Sequence, residues 1–251
     1  MKKILISDYD GTFYQSDIDI KKNIDKVTEF RALGNLFVLA TGRSYVDLKQ
    51  EIDKYKIPYD YLILNHGALL LSKDLEIIKI FTLDKVLVNS ILEYANNKDI
   101  YDVILIDAFK KRVDDTSNIV KLMLKLYSYD KALEVKKYID KSYTNIKSYL
   151  VKDENHYLVE FISSKASKSL MIEKILDKEK IVKKNVYTIG DGINDTDMIK
   201  KYNGYRVKNS CKELISVTDK VIDNVSDLIS RLSKWFRIYL QNNGNLYRII
   251  Y

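Results

Sequence analysis

The chain has 251 residues, 46% hydrophobic and 31% charged, with a formal net charge of +7. This is the composition of a globular protein, long enough for one large domain or two smaller ones. The lone Cys211 excludes an intrachain disulfide and a cysteine-based zinc site. No apolar run reaches the roughly 18 residues of a membrane span, and the lysines are scattered, so neither a membrane nor a nucleic-acid partner is expected. An acid, Asp8, interrupts the N-terminus before a signal-like core develops, which points to a cytoplasmic protein.

In chain order, Ile4-Leu5-Ile6 is a short apolar run that ends in Ser7-Asp8-Tyr9-Asp10-Gly11-Thr12. Such runs are buried parallel strands, and their carboxyl ends are where open α/β sheets place ligands. Two carboxylates one residue apart repel unless a cation or a shared proton separates them. Asp19 to Leu33 has helical apolar spacing (Ile20, Ile24, Val27, Phe30), with Gly34 as a stop. Leu36 to Ala40 is a second strand, ending in Thr41-Gly42-Arg43. Ser44 to Tyr55 is a helix, and Tyr61 to Leu64 a third strand, ending in Asn65-His66-Gly67-Ala68. Strands alternating with helices imply right-handed crossovers and a parallel sheet.

The rhythm then changes. Leu69 to Leu71 and Ile77 to Phe81 flank a hairpin turn. Residues 86–94 are helical, 101–108 and 119–126 are strands, 129–139 are helical, and 146–151 and 157–162 are strands. This α-β-β-α-β-β block reads as an antiparallel sheet carrying helices on one face. The α/β rhythm returns at Lys168, with a helix over 170–176 and a strand over 186–189 that ends in Gly190-Asp191-Gly192-Ile193-Asn194-Asp195. Short strands at 205–207 and 220–222 precede a helical tail, 225–240. The expected fold is a three-layer, Rossmann-like α/β core, residues 1–82 and 165–251, interrupted by an α+β domain, residues 83–164.

Four strand ends therefore carry polar groups: Asp8 with Asp10, Thr41, Asn65, and Asp191 with Asn194 and Asp195. Strands in βαβ units share direction, so all four are expected on one sheet edge. Several carboxylates at one place are hard oxygen ligands of the kind Mg²⁺ takes. Other readings fit less well. Gly190-Asp191-Gly192 lacks the third glycine of a dinucleotide fingerprint and puts acids where a pyrophosphate must sit. An EF-hand loop would need a glycine at the sixth position from Asp191. A receiver-type phosphoacceptor domain is shorter and has no inserted block. His66 and His156 lack spacing partners for a metal, His156 is expected at the surface, and Cys211 is expected as a small core residue. Lys110-Lys111-Arg112 is expected as a solvated turn.

The segments Asp8-x-Asp10-Gly11-Thr12, Thr41-Gly42-Arg43, Lys168 and Gly190-Asp191-Gly192-x-Asn194-Asp195 resemble, in order, the four motifs of the haloacid dehalogenase-like phosphatases. The block between the second and third resembles the C2B cap of the Cof-type subfamily. Asn65-His66-Gly67-Ala68 resembles that subfamily's Asn-Gly-Ala turn, with His66 as an extra residue. The resemblance implies that Asp8 is the nucleophile and Asp10 the acid and base. It implies that Lys168 neutralises charge; Lys168 is preferred to Lys165 because it is closer to the helix that follows. Thr41, Gly42, Asn194, Gly11 and Asn65 would meet the phosphate, and Asp8, Asp10 through its backbone carbonyl, Asp191 and Asp195 would hold Mg²⁺. Asn209 stands where relatives carry a Gly-Asn-Ala turn. A phosphatase for small phosphorylated metabolites, sugar phosphates above all, is implied, as a monomer or weak homodimer. A phosphomutase and a non-catalytic sugar-phosphate sensor remain open alternatives.

Overall fold

The computed structural model describes residues 1–96, 98 and 100–242, with side chains through residue 233. In chain order the elements begin with β1 (Ile4–Ser7), α1 (Asp17–Ala32), β2 (Leu36–Ala40), α2 (Tyr45–Tyr55), β3 (Tyr61–Leu64), β4 (Leu69–Ser72) and β5 (Ile77–Ile80). Then come α3 (Lys85–Asn96), β6 (Asp102–Ile106), β7 (Lys121–Leu126), α4 (Tyr129–Ser142), β8 (Ile146–Asp153) and β9 (His156–Ser163). The chain continues through α5 (Lys168–Glu179), β10 (Val186–Gly190), α6 (Thr196–Lys201), β11 (Asn203–Val207), α7 (Lys212–Ile215), β12 (Val221–Ile222) and α8 (Val225–Asn242). The elements divide into two compact units, Met1–Phe37 with Ile181–Tyr251, and Val38–Lys180.

In the first unit, β1 pairs in parallel with β10, β10 with β11, and β11 with β12. Every residue of β1 is buried, as its unbroken apolar run requires. The α1 helix starts at Asp17 rather than Asp19, because Ser16 caps it: the Ser16 hydroxyl accepts from Asp19 N–H at 3.1 Å. A buried Asn23 ties this helix to its surroundings. Its amide donates to the Phe13 carbonyl at 2.9 Å, and its oxygen accepts from Ser226 N–H, at the start of α8, at 2.8 Å.

The second unit contains parallel β2–β3 pairing, with β4 and β5 added antiparallel. It also holds an antiparallel sheet in the order β6-β7-β9-β8. The period-2 pattern of that sheet has a clear physical use. Leu122, Leu124, Leu126, Val159 and Phe161 are buried with apolar residues of α3 and α4. On the alternate register, Ile104, Ile106, Met123 and Ile162 cluster with Ala68 and Ala166. Both faces are covered, and Lys121 and Glu160, in the same register as Met123 and Ile162, are buried with the second face. Helix α5 starts at Lys168, two residues earlier than expected, because the Ser167 hydroxyl caps it by accepting from Leu170 N–H at 3.2 Å. Helices α6 and α7 were not expected; at 6 and 4 residues they are too short to show periodicity. Among the described residues no helix is long and apolar enough to cross a membrane.

Candidate functional site

In the first unit the ends of β1 and β10 lie side by side. Ser7 pairs with Ile189, and Asp8 N–H donates to the Ile189 carbonyl at 2.9 Å. This register brings Asp8 to Asp191 and Asp195, and ligand oxygens of the three carboxylates lie within 4.8 Å of one another. Asp195 is fully buried and closes its own turn, accepting from Asp191 N–H at 3.1 Å and Gly192 N–H at 3.0 Å. Thr12 is equally buried and donates its hydroxyl to Asp191 Oδ1 at 2.7 Å. Gly11 has φ +75°, and a Cβ there would overlap the Asp191 carboxylate, so only glycine lets the β1 turn come this close. The Asp10 side chain is exposed and stands outside the three-carboxylate group, and Asn194 is half-buried.

Three acids this close repel one another in a buried setting, and a divalent cation relieves that repulsion. The donor set is all hard oxygen, which fits Mg²⁺ and not a soft metal. The residues present therefore fit the ion that the sequence leads one to expect.

In the second unit the ends of β2 and β3 are adjacent. Thr41 N–H donates to the Ile63 carbonyl at 2.8 Å, and Asn65 N–H to the Arg43 carbonyl at 3.0 Å. Thr41 is 1% exposed, and its hydroxyl oxygen accepts from Arg43 N–H at 3.1 Å. Asn65 (φ +49°) and His66 (φ +55°) are consecutive non-glycine residues in the left-handed region. That conformation costs energy and persists only where the surroundings impose it. Among the described residues neither the amide nitrogen nor the oxygen of the buried Asn65 side chain has a hydrogen-bond partner. Lys168 is 1% exposed, whereas Lys165 is exposed, so burial separates the two lysines that spacing left close.

The family model for haloacid dehalogenase-like hydrolases matches residues 5–110 and 106–228. The chain belongs to the haloacid dehalogenase-like hydrolases. A haloacid dehalogenase relative in fold, a hydrolase from Bacteroides thetaiotaomicron, superposes with a TM-score of 0.77 at 19% identity, covering 92% of this chain and 100% of its own. A subclass IIB sugar phosphatase superposes with a TM-score of 0.74 at 17% identity, covering 94% and 100%. In sequence, a protein of Mycoplasma capricolum is 24% identical over 264 residues, covering 91% of this chain and 99% of that protein.

Beyond the motifs of this hydrolase family, the second unit holds a buried polar cluster that the sequence reading passed over. Lys121 Nζ lies 3.0 Å from Glu160 Oε1, and His66 Nε2 lies 2.6 Å from Glu160 Oε2. Tyr149 stacks on the His66 ring at 4.1 Å between centroids. Burial alone would raise the Glu160 carboxyl pKa, but the Lys121 ammonium and the His66 hydrogen bond outweigh it and bring it down to about 2. Burial pushes the His66 imidazole below its ordinary value, against the pull of the Glu160 carboxylate. A neutral imidazole donating from Nε2 to a carboxylate satisfies both. The available signal was a lone acid inside the apolar run Leu158-Val159-Glu160-Phe161-Ile162.

Several expectations need correction. The Lys110-Lys111-Arg112 turn is exposed at Lys110 and Arg112, as expected, but two of its cations are paired: half-buried Lys111 with Asp47 at 2.9 Å, and Arg112 with Asp102. His156 is half-buried, its ring within 5.1 Å of Tyr101 and 4.8 Å of Tyr127. Cys211 is not core but half-buried, because it sits at the cap of α7 with its N–H on the Asp191 carbonyl at 2.7 Å. Asn209 is exposed. The extension 246–251 and the side chains of the aromatic tail from 234 lie outside the described residues.

Proposed function

We propose that the protein is a Mg²⁺-dependent phosphomonoester hydrolase for small phosphorylated metabolites, with sugar phosphates the foremost class, working in the cytoplasm as a monomer or weak homodimer. Residues 83–164 would act as a Cof-type cap that selects the substrate. The observation that carries this reading is the Asp8–Asp191–Asp195 cluster at the adjoining ends of β1 and β10. Membership of the hydrolase family and a sugar phosphatase among the similar folds support it.

In this reading an Asp8 carboxylate oxygen attacks phosphorus, and the bond from phosphorus to the leaving oxygen breaks as Asp10 gives that oxygen a proton. Water then attacks the aspartyl-phosphate, Asp10 takes back a proton, and Asp8 is regenerated as inorganic phosphate leaves. An exposed Asp10 carboxyl suits exchange of protons with both alcohol and water. Mg²⁺ held by Asp8, the Asp10 carbonyl, Asp191 and Asp195 would supply neutralisation of phosphoryl charge. Lys168 would add a buried positive charge, and Thr41, Gly42, Gly11, Asn65 and Asn194 hydrogen-bond donors.

The test is phosphate release from a panel of phosphorylated metabolites. Turnover of sugar phosphates that chelation abolishes and Mg²⁺ restores is the expected result. No release from any phosphomonoester in the presence of Mg²⁺ would overturn the reading.

A further inference from the structure

Lys121, Glu160 and His66 come from the sheet of residues 83–164 and from the turn after β3, yet they converge on two carbonyls of the Thr41–Gly42 turn. Lys121 Nζ donates to the Gly42 carbonyl at 2.8 Å as well as to Glu160. The backbone N–H of His66 donates to the Thr41 carbonyl at 3.0 Å. Two consecutive peptide planes are pinned this way. A trans peptide points its N–H opposite to its C=O. Holding the Thr41 carbonyl therefore aims the Gly42 N–H away from His66. Holding the Gly42 carbonyl aims the Arg43 N–H, which donates to Thr41 Oγ1 at 3.1 Å. With that oxygen already accepting one bond, the Thr41 hydroxyl proton is available to a ligand.

The energetics separate this role from ordinary stabilisation. The side chains of Lys121, Glu160 and His66 are 3%, 8% and 6% exposed. An ion pair buried to that degree is replaceable by apolar side chains at little or no loss of stability, so stability is a weak reason for its presence. A fixed geometry is a better reason, because the ring of His66 is held on two sides. Tyr149 stacks on it, and Gly42 packs so close that a Cβ there would overlap the imidazole.

We infer that Lys121, anchored by Glu160 and His66, is a positioning residue that orients the Thr41 hydroxyl for a phosphoryl group. The inference rests on the phosphatase reading of Thr41. It makes the inserted sheet part of the scaffold of the phosphate-binding turn.

The experiment measures inhibition by inorganic phosphate, together with KM, kcat and the thermal midpoint, for wild type, Lys121→Met, Lys121→Arg and Glu160→Gln. Lys121→Met should weaken phosphate inhibition about tenfold and raise KM in step, as loss of a charge-assisted hydrogen bond requires. Lys121→Arg, which keeps a donor for the carbonyl, should recover most of this. In a Thr41→Val background the effect of Lys121→Met should shrink to less than about threefold, because the relay ends on that hydroxyl. If Lys121→Met does not fold, Glu160→Gln carries the test and should weaken phosphate inhibition at least about threefold. A lower thermal midpoint with unchanged phosphate inhibition in a folded variant would overturn the inference and leave the phosphatase reading standing. Wild-type protein that neither binds inorganic phosphate nor hydrolyses any phosphomonoester would overturn both.

Discussion

Thr12 Oγ1 donates a 2.7 Å hydrogen bond to Asp191 Oδ1, joining residues 179 positions apart in sequence. The bond fixes Oδ1 of a carboxylate that is grouped with those of Asp8 and Asp195. Thr12 thus stands behind the candidate metal ligands and orients one of them.

Replacing Thr12 by the isosteric Val removes that donor without changing side-chain size. The Mg²⁺ concentration for half-maximal activity should then rise on the order of tenfold, while Thr12→Ser should stay close to wild type. A metal titration of phosphate release reads this directly. Equal metal dependence in Thr12→Val and wild type would remove Thr12 from the account.

The Gly42–His66 contact predicts an energetic coupling. Gly42→Ala puts a methyl group into the imidazole, which Tyr149 and Glu160 hold in place. Overpacking of this kind should cost about 1–3 kcal/mol in a urea unfolding experiment. In a His66→Ala background the same substitution should cost at least about 1 kcal/mol less, because the obstructing ring is gone. Additive effects would mean that the two residues do not meet.

The buried cluster also predicts an acid limit to stability. Glu160 is carried from 4.5 down to about 2, although burial opposes it, by Lys121 and His66. His66 is pushed below 6.5 by burial, helped by the charges of Lys121 and Lys168 and opposed by Glu160. Both groups bind fewer protons folded than unfolded, so stability rises with pH through both windows. The His66 contribution is complete above pH 6.5 and is lost as pH falls below it. The Glu160 contribution is complete above pH 4.5 and is lost as pH falls from there towards about 2. Unfolding free energies should fall on acidification, and Glu160→Gln should flatten the lower window. A variant profile parallel to wild type below pH 4.5 would contradict this.

The parts of this molecule that were legible in the sequence are those written in local pattern. The buried β1 run, the Ser44-capped α2 helix and the α-β-β-α-β-β order over residues 83–164 follow from period and punctuation. The candidate ligands Asp8, Asp191 and Asp195 were also legible, because each stands where a strand or its turn ends. The neighbours of those ligands were not. That Thr12 would meet Asp191 depends on which strands pair, and pairing of β1 with β10 is a long-range choice with no local signal. Lys121 and Glu160 escaped for a related reason. A charged residue on an alternating strand normally faces water, and only the covering of both faces of the β6-β7-β9-β8 sheet makes these two buried. The left-handed pair Asn65 and His66 was hidden as well, since neither is the glycine that ordinarily marks such backbone.

The central claim is that Asp8 is the nucleophile of a metal-dependent phosphomonoesterase. Phosphate release from a chromogenic aryl phosphate tests it most directly, with metal-stripped protein to which Mg²⁺ is returned, comparing wild type with Asp8→Asn of matching circular dichroism. The account predicts turnover by wild type only when Mg²⁺ is present, and a loss on the order of 10³-fold or more in Asp8→Asn. A folded Asp8→Asn protein turning over at the wild-type rate would contradict it.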